Sequence, residues 1–244
     1  MNPLPFIDIH THMGHNEPET VTVQNFFPGE KFPVFTGRNF YSVGLHPWNI
    51  KTEEENNFEL QLVSEVMSYD HVIFVGECGL DKKVVSDFSE QQRVFEAQAW
   101  IAEEFQKPLI IHCVKAYNEI IEMHKKIVPS VPWILHGYNG SIEITKKLVN
   151  HNFVFTFGKY LFYPASKALE SFKYLPFDKL FLETDESKCN VEKIYKQAAE
   201  LRNTDLEELK KMMIENFNRL EIVNKNRDLI PALGWLRKMF LNHI

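Results

Sequence analysis

Residues 6–12 read Phe6-Ile7-Asp8-Ile9-His10-Thr11-His12, an apolar run that ends in two histidines one residue apart. In an extended strand successive side chains alternate between faces, so Asp8, His10 and His12 share one face while Ile7, Ile9 and Thr11 share the other. Two imidazoles then project side by side from a strand end, and neutral imidazole is the commonest protein ligand for a metal ion. A single His-x-His arises by chance. Its weight depends on whether other apolar runs end in the same way.

They do. Tyr41-Ser42-Val43-Gly44-Leu45 runs into His46-Pro47-Trp48, Val72–Val75 into Gly76-Glu77-Cys78-Gly79-Leu80-Asp81, and Pro108–Ile111 into His112. Trp133–Leu135 ends at His136, Phe153–Phe157 at Gly158-Lys159, and Leu180–Leu182 at Glu183-Thr184-Asp185. Between these runs the spacing predicts amphipathic helices. Thr52 and Glu55 form a capping-box pattern ahead of Phe58, Leu62, Val66 and Tyr69; Ser89 and Gln92 form another ahead of Phe95, Gln98, Ile101 and Phe105. Further helices run through Ile120-Ile121 and through Ile144 and Leu148. Thr204 and Glu207 cap one carrying Leu209, Met213, Phe217 and Leu220, and Pro231 suits the first turn of a last helix with Leu233, Leu236 and Phe240.

Short, nearly uninterrupted apolar strands separated by amphipathic helices indicate a parallel sheet covered by helices. Seven strands are clear, and an eighth is expected between residues 20 and 36 (Val21-Thr22-Val23 or Pro33-Val34-Phe35), inside a stretch from 13 to 40 that otherwise reads as loop. The expected fold is a TIM-type α/β barrel. A doubly wound open sheet is the alternative, but no Gly-x-Gly-x-x-Gly follows the first strand. With no internal repeat and no Gly/Ser linker, residues 1–244 are expected to form one domain with a helical extension from about 223 to 244.

The chain has 44% hydrophobic and 25% charged residues, which is ordinary for a folded globule and excludes a disordered chain. No apolar run approaches the ~20 residues of a membrane span, and Met1-Asn2-Pro3-Leu4-Pro5 is not a secretory leader, so a cytoplasmic protein without a membrane partner is expected. Cys78, Cys113 and Cys189 are odd in number and widely spaced, against a disulfide framework or a Cys-x-x-Cys zinc site. A formal charge of −6 offers no long-range attraction for a nucleic acid backbone, so any such substrate is gripped locally.

In such barrels function sits at the carboxyl ends of the strands. His10, His12, His46, His112, His136, Glu77 and Asp185 all fall there, and burying that many polar groups without partners costs several kcal/mol each. Four histidines and two carboxylates suffice for two divalent ions, zinc, manganese, magnesium or cobalt. In this assignment His10, His12, Glu77 and Asp185 surround one ion, and Glu77 bridges to a second held by His112 and His136. Hydroxide held between two ions is nucleophilic at neutral pH, because metal binding lowers the pKa of water from ~15.7 to about 7. Glu77 and Asp185 are the expected catalytic carboxylates, with Asp185 orienting the attacking water and accepting its proton. Lys115 and Lys159 follow strands and are candidates to pair with substrate phosphate.

Taken in order, Asp8-Ile9-His10-Thr11-His12, Gly44-Leu45-His46-Pro47, Gly76-Glu77-Cys78-Gly79-Leu80-Asp81, Pro108-Leu109-Ile110-Ile111-His112, His136-Gly137-Tyr138-Asn139-Gly140-Ser141, Glu183-Thr184-Asp185 and Asn216-Phe217-Asn218-Arg219-Leu220 resemble the TatD family of metal-dependent hydrolases and deoxyribonucleases, within the amidohydrolase-like barrels. The resemblance covers roughly residues 6–222. It implies that all six proposed ligands occupy family metal positions, that His46 lies near the substrate phosphate, and that the substrate is DNA or a small phosphodiester. The sequence does not give the oligomeric state, and a monomer is the default expectation.

Three departures touch the substrate side. Only residues 13–45 separate His12 from His46, short beside the family, so the second strand-helix unit of the barrel is expected to be reduced; Glu186-Ser187 follows Asp185 where Ser-Pro is common, and Val114-Lys115 stands where the family carries an arginine. The added negative charge motivates an alternative, an amidohydrolase acting on an amide, lactone or phosphotriester; a binding module with a structural metal is a third reading. Asp8 either orients a ligand imidazole, the favoured reading, or is a carboxylate tied up inside the barrel, and Cys78 and Cys113 are expected to be inert. Phe26, Phe27, Phe32 and Phe35 either stack bases or pin a long loop, and Trp235 and Phe240 pack the last helix.

Overall fold

Each apolar run pairs in parallel with the next along the chain, because strands buried on both faces need helices, not hairpins, to connect them. The computed structural model describes residues 3–13, 19–32 and 39–220. Its strands are β1 (Phe6–Thr11), β2 (Thr20–Phe26), β3 (Asn39–Val43), β4 (Val72–Asp81), β5 (Leu109–Val114), β6 (Trp133–Leu135), β7 (Val154–Phe157) and β8 (Leu180–Leu182), adjacent in chain order in one parallel sheet. Outside it lie α1 (Glu53–Val66), α2 (Phe88–Phe105), α3 (Tyr117–Ile127), α4 (Ile142–Asn150), α5 (Lys167–Tyr174), α6 (Val191–Arg202) and α7 (Leu206–Arg219). The result is a nearly closed barrel. Among the described residues no helix is long and apolar enough to cross a membrane.

The sheet closes by an unusual seam. β8 and β1 share no ladder, only a bridge between Thr11 and Asp185, where the Asp185 N–H donates to His10 O (3.0 Å) and the His12 N–H to Asp185 O (3.2 Å). Below it, side chains take the place of the missing ladder. The Tyr195 hydroxyl of α6 accepts from the Ile7 N–H (3.0 Å) and donates to the Ile7 carbonyl (2.9 Å). Asp8 accepts from the Thr184 N–H (2.9 Å) and hydroxyl (2.6 Å).

The region between the first and third strands differs most from its sequence reading. Thr20–Phe26 is a full seven-residue strand, and among the described residues no helix follows β1 or β2. Pro33-Val34-Phe35 and the expected C-terminal helix lie outside the described residues. Phe32 stacks on Tyr41 (ring centroids 5.2 Å apart), and Phe26 packs edge-on against both. These two phenylalanines pin the chain to the barrel. β4 continues six residues past Val75, through the segment expected to be its loop, and its register against β5 shifts between Val75 and Cys78.

Two helix starts also differ. The Thr52–Glu55 capping box forms as expected, but α2 is capped by Asp87, which accepts the Ser89 N–H (2.9 Å), and α7 by Asp205, which accepts from Glu207 and Glu208. A charged carboxylate outcompetes the neighbouring Ser and Thr, because it also meets the positive end of the helix dipole.

Removing the Tyr195 hydroxyl orphans two buried backbone groups at the seam. Tyr195→Phe therefore lowers the unfolding free energy by about 1–3 kcal/mol in urea denaturation; an unchanged midpoint would show that the seam holds without it.

Candidate metal centre

Strand ends place the site. β1 delivers His10 and, one residue beyond it, His12; β4 delivers Glu77 and Asp81; β5 delivers His112; His136, Glu183 and Asp185 follow β6 and β8. Glu77 reaches the centre because β4 kinks there. Its N–H donates to Asn25 Oδ1 on β2 (2.6 Å), which also accepts the Ser42 hydroxyl (3.0 Å). Gly76 and Gly79 flank it at φ +128° and +143°, where a Cβ would overlap the Ile110 and His112 carbonyl oxygens of β5.

Five imidazoles crowd the Glu77 carboxylate. His10 Nε2 (3.3 Å) and His12 Nε2 (3.0 Å) face Oε2, while His46 Nε2 (3.0 Å), His112 Nδ1 (2.9 Å) and His136 Nε2 (2.7 Å) face Oε1. Asp185 Oδ1 lies 3.9 Å from His12 Nε2, and Asp185 groups with His10 and His136 as possible donors to one ion. Two donors each ~2.1 Å from one ion stand about 3.0–3.4 Å apart, so this spacing suits shared coordination. The most direct sign is His10. Its ring is wholly buried, yet among the described residues neither nitrogen makes a hydrogen bond, the Glu77 oxygen being close but misaligned. A cation is a partner that such a ring lacks.

Hydrogen bonds sort ligands from donors. The Trp48 N–H donates to His46 Nδ1 (3.1 Å), so neutral His46 carries its proton on Nε2 and presents a donor, not a lone pair, to the centre. For His112 the polarity is reversed. Its Nε2 faces Asp81 Oδ2 (3.4 Å), which leaves Nδ1 free to face the centre, and Asp81 is itself held by the Trp48 indole N–H (2.8 Å). His136 Nδ1 points toward Glu183 Oε1 at 3.8 Å, and Glu183 is fixed by the Gly137 N–H (2.5 Å) and the Thr156 hydroxyl.

The same crowding sets the ionisation. Burial alone would raise Glu77, but the imidazoles, His136 foremost, hold it well below the usual carboxylate range. Burial opposes protonation of His12 and His136; Glu77 outweighs it and raises both, His136 strongly. At His46 burial wins and the ring stays below its ordinary value. Asp185 is lowered, against its own burial, by His136, His10 and Lys159. Such a carboxylate is neutralised either by protons on the rings or by cations between them.

The structure thus brings together His10, His12, Glu77, His112, His136 and Asp185. It also puts His46, read from sequence as a substrate contact, inside the donor cluster. Lys159 Nζ pairs with Asp185 Oδ2 (3.2 Å) at the edge of a cavity of about 280 Å³, whereas Lys115 is outside that cavity, on an adjoining groove. Asp8 does not orient a ligand ring; its carboxylate is taken by Thr184, and burial pushes its pKa up to about 7. Cys78 is buried, and burial raises its thiol well above the ordinary range, as it does the thiol of Cys113. Asn25, Asp81, Trp48 and Glu183 carry no role in the sequence reading. Asp81, Trp48 and Glu183 do stand in strand-end motifs, which is a signal of position; Asn25 has no such signal.

The family model for TatD related DNase matches residues 30–221. A Bacillus subtilis protein named uncharacterized metal-dependent hydrolase YabD is 31% identical over 205 residues, covering 76% of this chain and 78% of that protein. The 3'-5' ssDNA/RNA exonuclease TatD of Salmonella typhimurium is 27% identical over 68% of this chain and 72% of its own. In structure, the TatD homolog YJJV of Escherichia coli superposes with a TM-score of 0.76 at 21% identity over 88% of this chain and 97% of that one, a likeness of fold. With a family match spanning most of its length and a barrel of the same build, the chain belongs to the TatD-related DNase family of metal-dependent hydrolases.

Proposed function

We propose that this protein hydrolyses phosphodiester bonds in nucleic acid, with two divalent cations held by His10, His12, Glu77, His112, His136 and Asp185. The observation that carries the reading is the Glu77 carboxylate ringed by imidazoles, with the wholly buried His10 ring beside it making no hydrogen bond among the described residues. Bound cations would supply an activated water and neutralise charge on the phosphoryl oxygens. Family membership and the nuclease named among the relatives support the choice of bond.

Each nearby residue then has a task. Asp185, ionised and open to the cavity, takes the proton from the attacking water. His46, neutral with its proton on Nε2, donates to a phosphoryl oxygen. Lys159, beside Asp185, balances the charge of the incoming phosphate. Asp81 and Glu183 keep His112 and His136 turned toward the centre.

Asp185→Asn lowers kcat on bis(4-nitrophenyl) phosphate and on an oligonucleotide by about 10²–10⁴-fold while the circular dichroism spectrum is kept; retained turnover would end the assignment. His112→Ala loses bound metal by elemental analysis, and His46→Ala keeps it while KM rises. Metal uptake also depends on pH. Because folding raises the pKa of His12 and His136 above the ordinary 6.5, the stability their protonation gives is full below that value and is lost as pH climbs through the raised values. Cations need the neutral rings, so the rise in Tm on adding manganese is small near about pH 6 and larger near about pH 8. An equal shift at both would contradict imidazole ligation.

A further inference from the structure

A second depression opens beside the metal cavity and shares Cys113, Val114, Gly137 and Tyr160 with it. It runs outward over the first residues of α3, α4 and α5, past Tyr117, Ser141 and Lys167. Among the described residues three lysines line it, Lys83, Lys115 and Lys167, and no carboxylate does. In a chain of net charge −6 this is a local reversal of sign.

Among the described residues none of the three ammonium groups is held in a close ion pair, although Glu143 lies near enough to Lys167 to feel its charge. Neighbouring Lys82, by contrast, is paired with Glu119 and Lys159 with Asp185. Lys115 stands three residues beyond His112, in the left-handed turn (φ 56°) that joins β5 to α3, so the strand that carries a proposed ligand also places this charge. Asn139 adds donors. Its Oδ1 is occupied by the Ser166 hydroxyl (2.9 Å) and the Ala168 N–H (2.9 Å), which leaves its amide N–H groups for a ligand.

A surface that offers donors and positive charge, and no acceptor carboxylate, fits a polyanion. Its continuity with the metal cavity makes that polyanion an extension of the substrate. The donors at the centre are sunk, with His10 and Glu77 almost wholly buried, so the scissile phosphodiester has to descend into a cavity of about 280 Å³. A lone strand can do this and a duplex cannot.

We propose that this groove holds the sugar-phosphate backbone of a single nucleic acid strand next to the bond being cut, with Lys115, Lys167 and Lys83 on the flanking phosphates. The proposal rests on the phosphodiesterase reading, and two separate measurements keep them apart. Hydrolysis of bis(4-nitrophenyl) phosphate, too small to reach the groove, tests the reading; binding of a fluorescein-labelled oligothymidylate to chelator-treated protein, followed by anisotropy across a salt series, tests the groove.

In Lys115→Gln/Lys167→Gln the oligothymidylate binds about tenfold more weakly. The slope of log K against log salt becomes shallower by about 0.7 for each phosphate that no longer meets a lysine. Turnover of the small diester in the metal-loaded variant stays at the wild-type level. Lys193→Gln/Lys211→Gln, which removes the same charge from α6 and α7, leaves binding unchanged. The groove assignment is overturned if the wild type does not bind the strand, if both double variants weaken it equally, or if an oligoglutamate of equal charge competes as well as unlabelled strand. Loss of small-diester turnover in the groove variant would overturn it too, by placing these lysines in the metal centre.

Discussion

One buried carboxylate organises this protein. Glu77 sits with its two oxygens among imidazoles carried at or just past the ends of β1, β3, β5 and β6, at separations between 2.7 and 3.3 Å. Water cannot solvate it there, so its charge depends on what stands between it and those rings. Holding it in place takes groups from four strands. Asn25 on β2 accepts its N–H and the hydroxyl of Ser42 on β3, and the glycines on either side let β4 close onto β5. The seven-residue β2, without a helix on either side among the described residues, is thus a support for the centre rather than a remnant.

The second constraint is closure. With no ladder between β8 and β1, Asp185 is fixed by backbone bonds to His10 and His12 and adopts φ 55°, a left-handed conformation that aspartate tolerates better than most residues. Asp8 clamps Thr184 one residue earlier, and Tyr195 closes the seam below. The same strand end therefore completes the barrel and positions the carboxylate assigned to proton transfer. A substitution that loosens the seam also displaces the site.

Much of this is legible in the sequence because it obeys local rules. Burial on both faces gives continuous apolar runs, helices between them carry a 3.6-residue period, and barrels gather function at carboxyl strand ends. Where the sequence misleads, a distant partner decides. For the second strand the sequence offers two short candidates, and that it is Thr20–Phe26, with seven residues, follows once Asn25 is seen to bond the backbone of Glu77, 52 residues away. The last six residues of β4 hold two glycines and two acids, a loop composition that becomes a strand because β5 pairs with it. Ser89 and Thr204 fit capping patterns that Asp87 and Asp205 preempt.

By itself the sequence determined the class of fold, the order of its strands after the second, and which histidines and carboxylates gather at strand ends, since residue type and spacing fix which groups reach a strand's end. Only the tertiary structure decided how those groups divide their work. Which nitrogen of His46 or His112 carries a proton depends on the Trp48 backbone and on Asp81. Whether a lysine is free of an ion pair, as Lys115 is among the described residues, or tied, as Lys159 is, depends on which carboxylate another strand brings beside it. Proton position and charge pairing are set by approaches of a few ångströms between segments far apart in the chain, and no linear pattern encodes such distances.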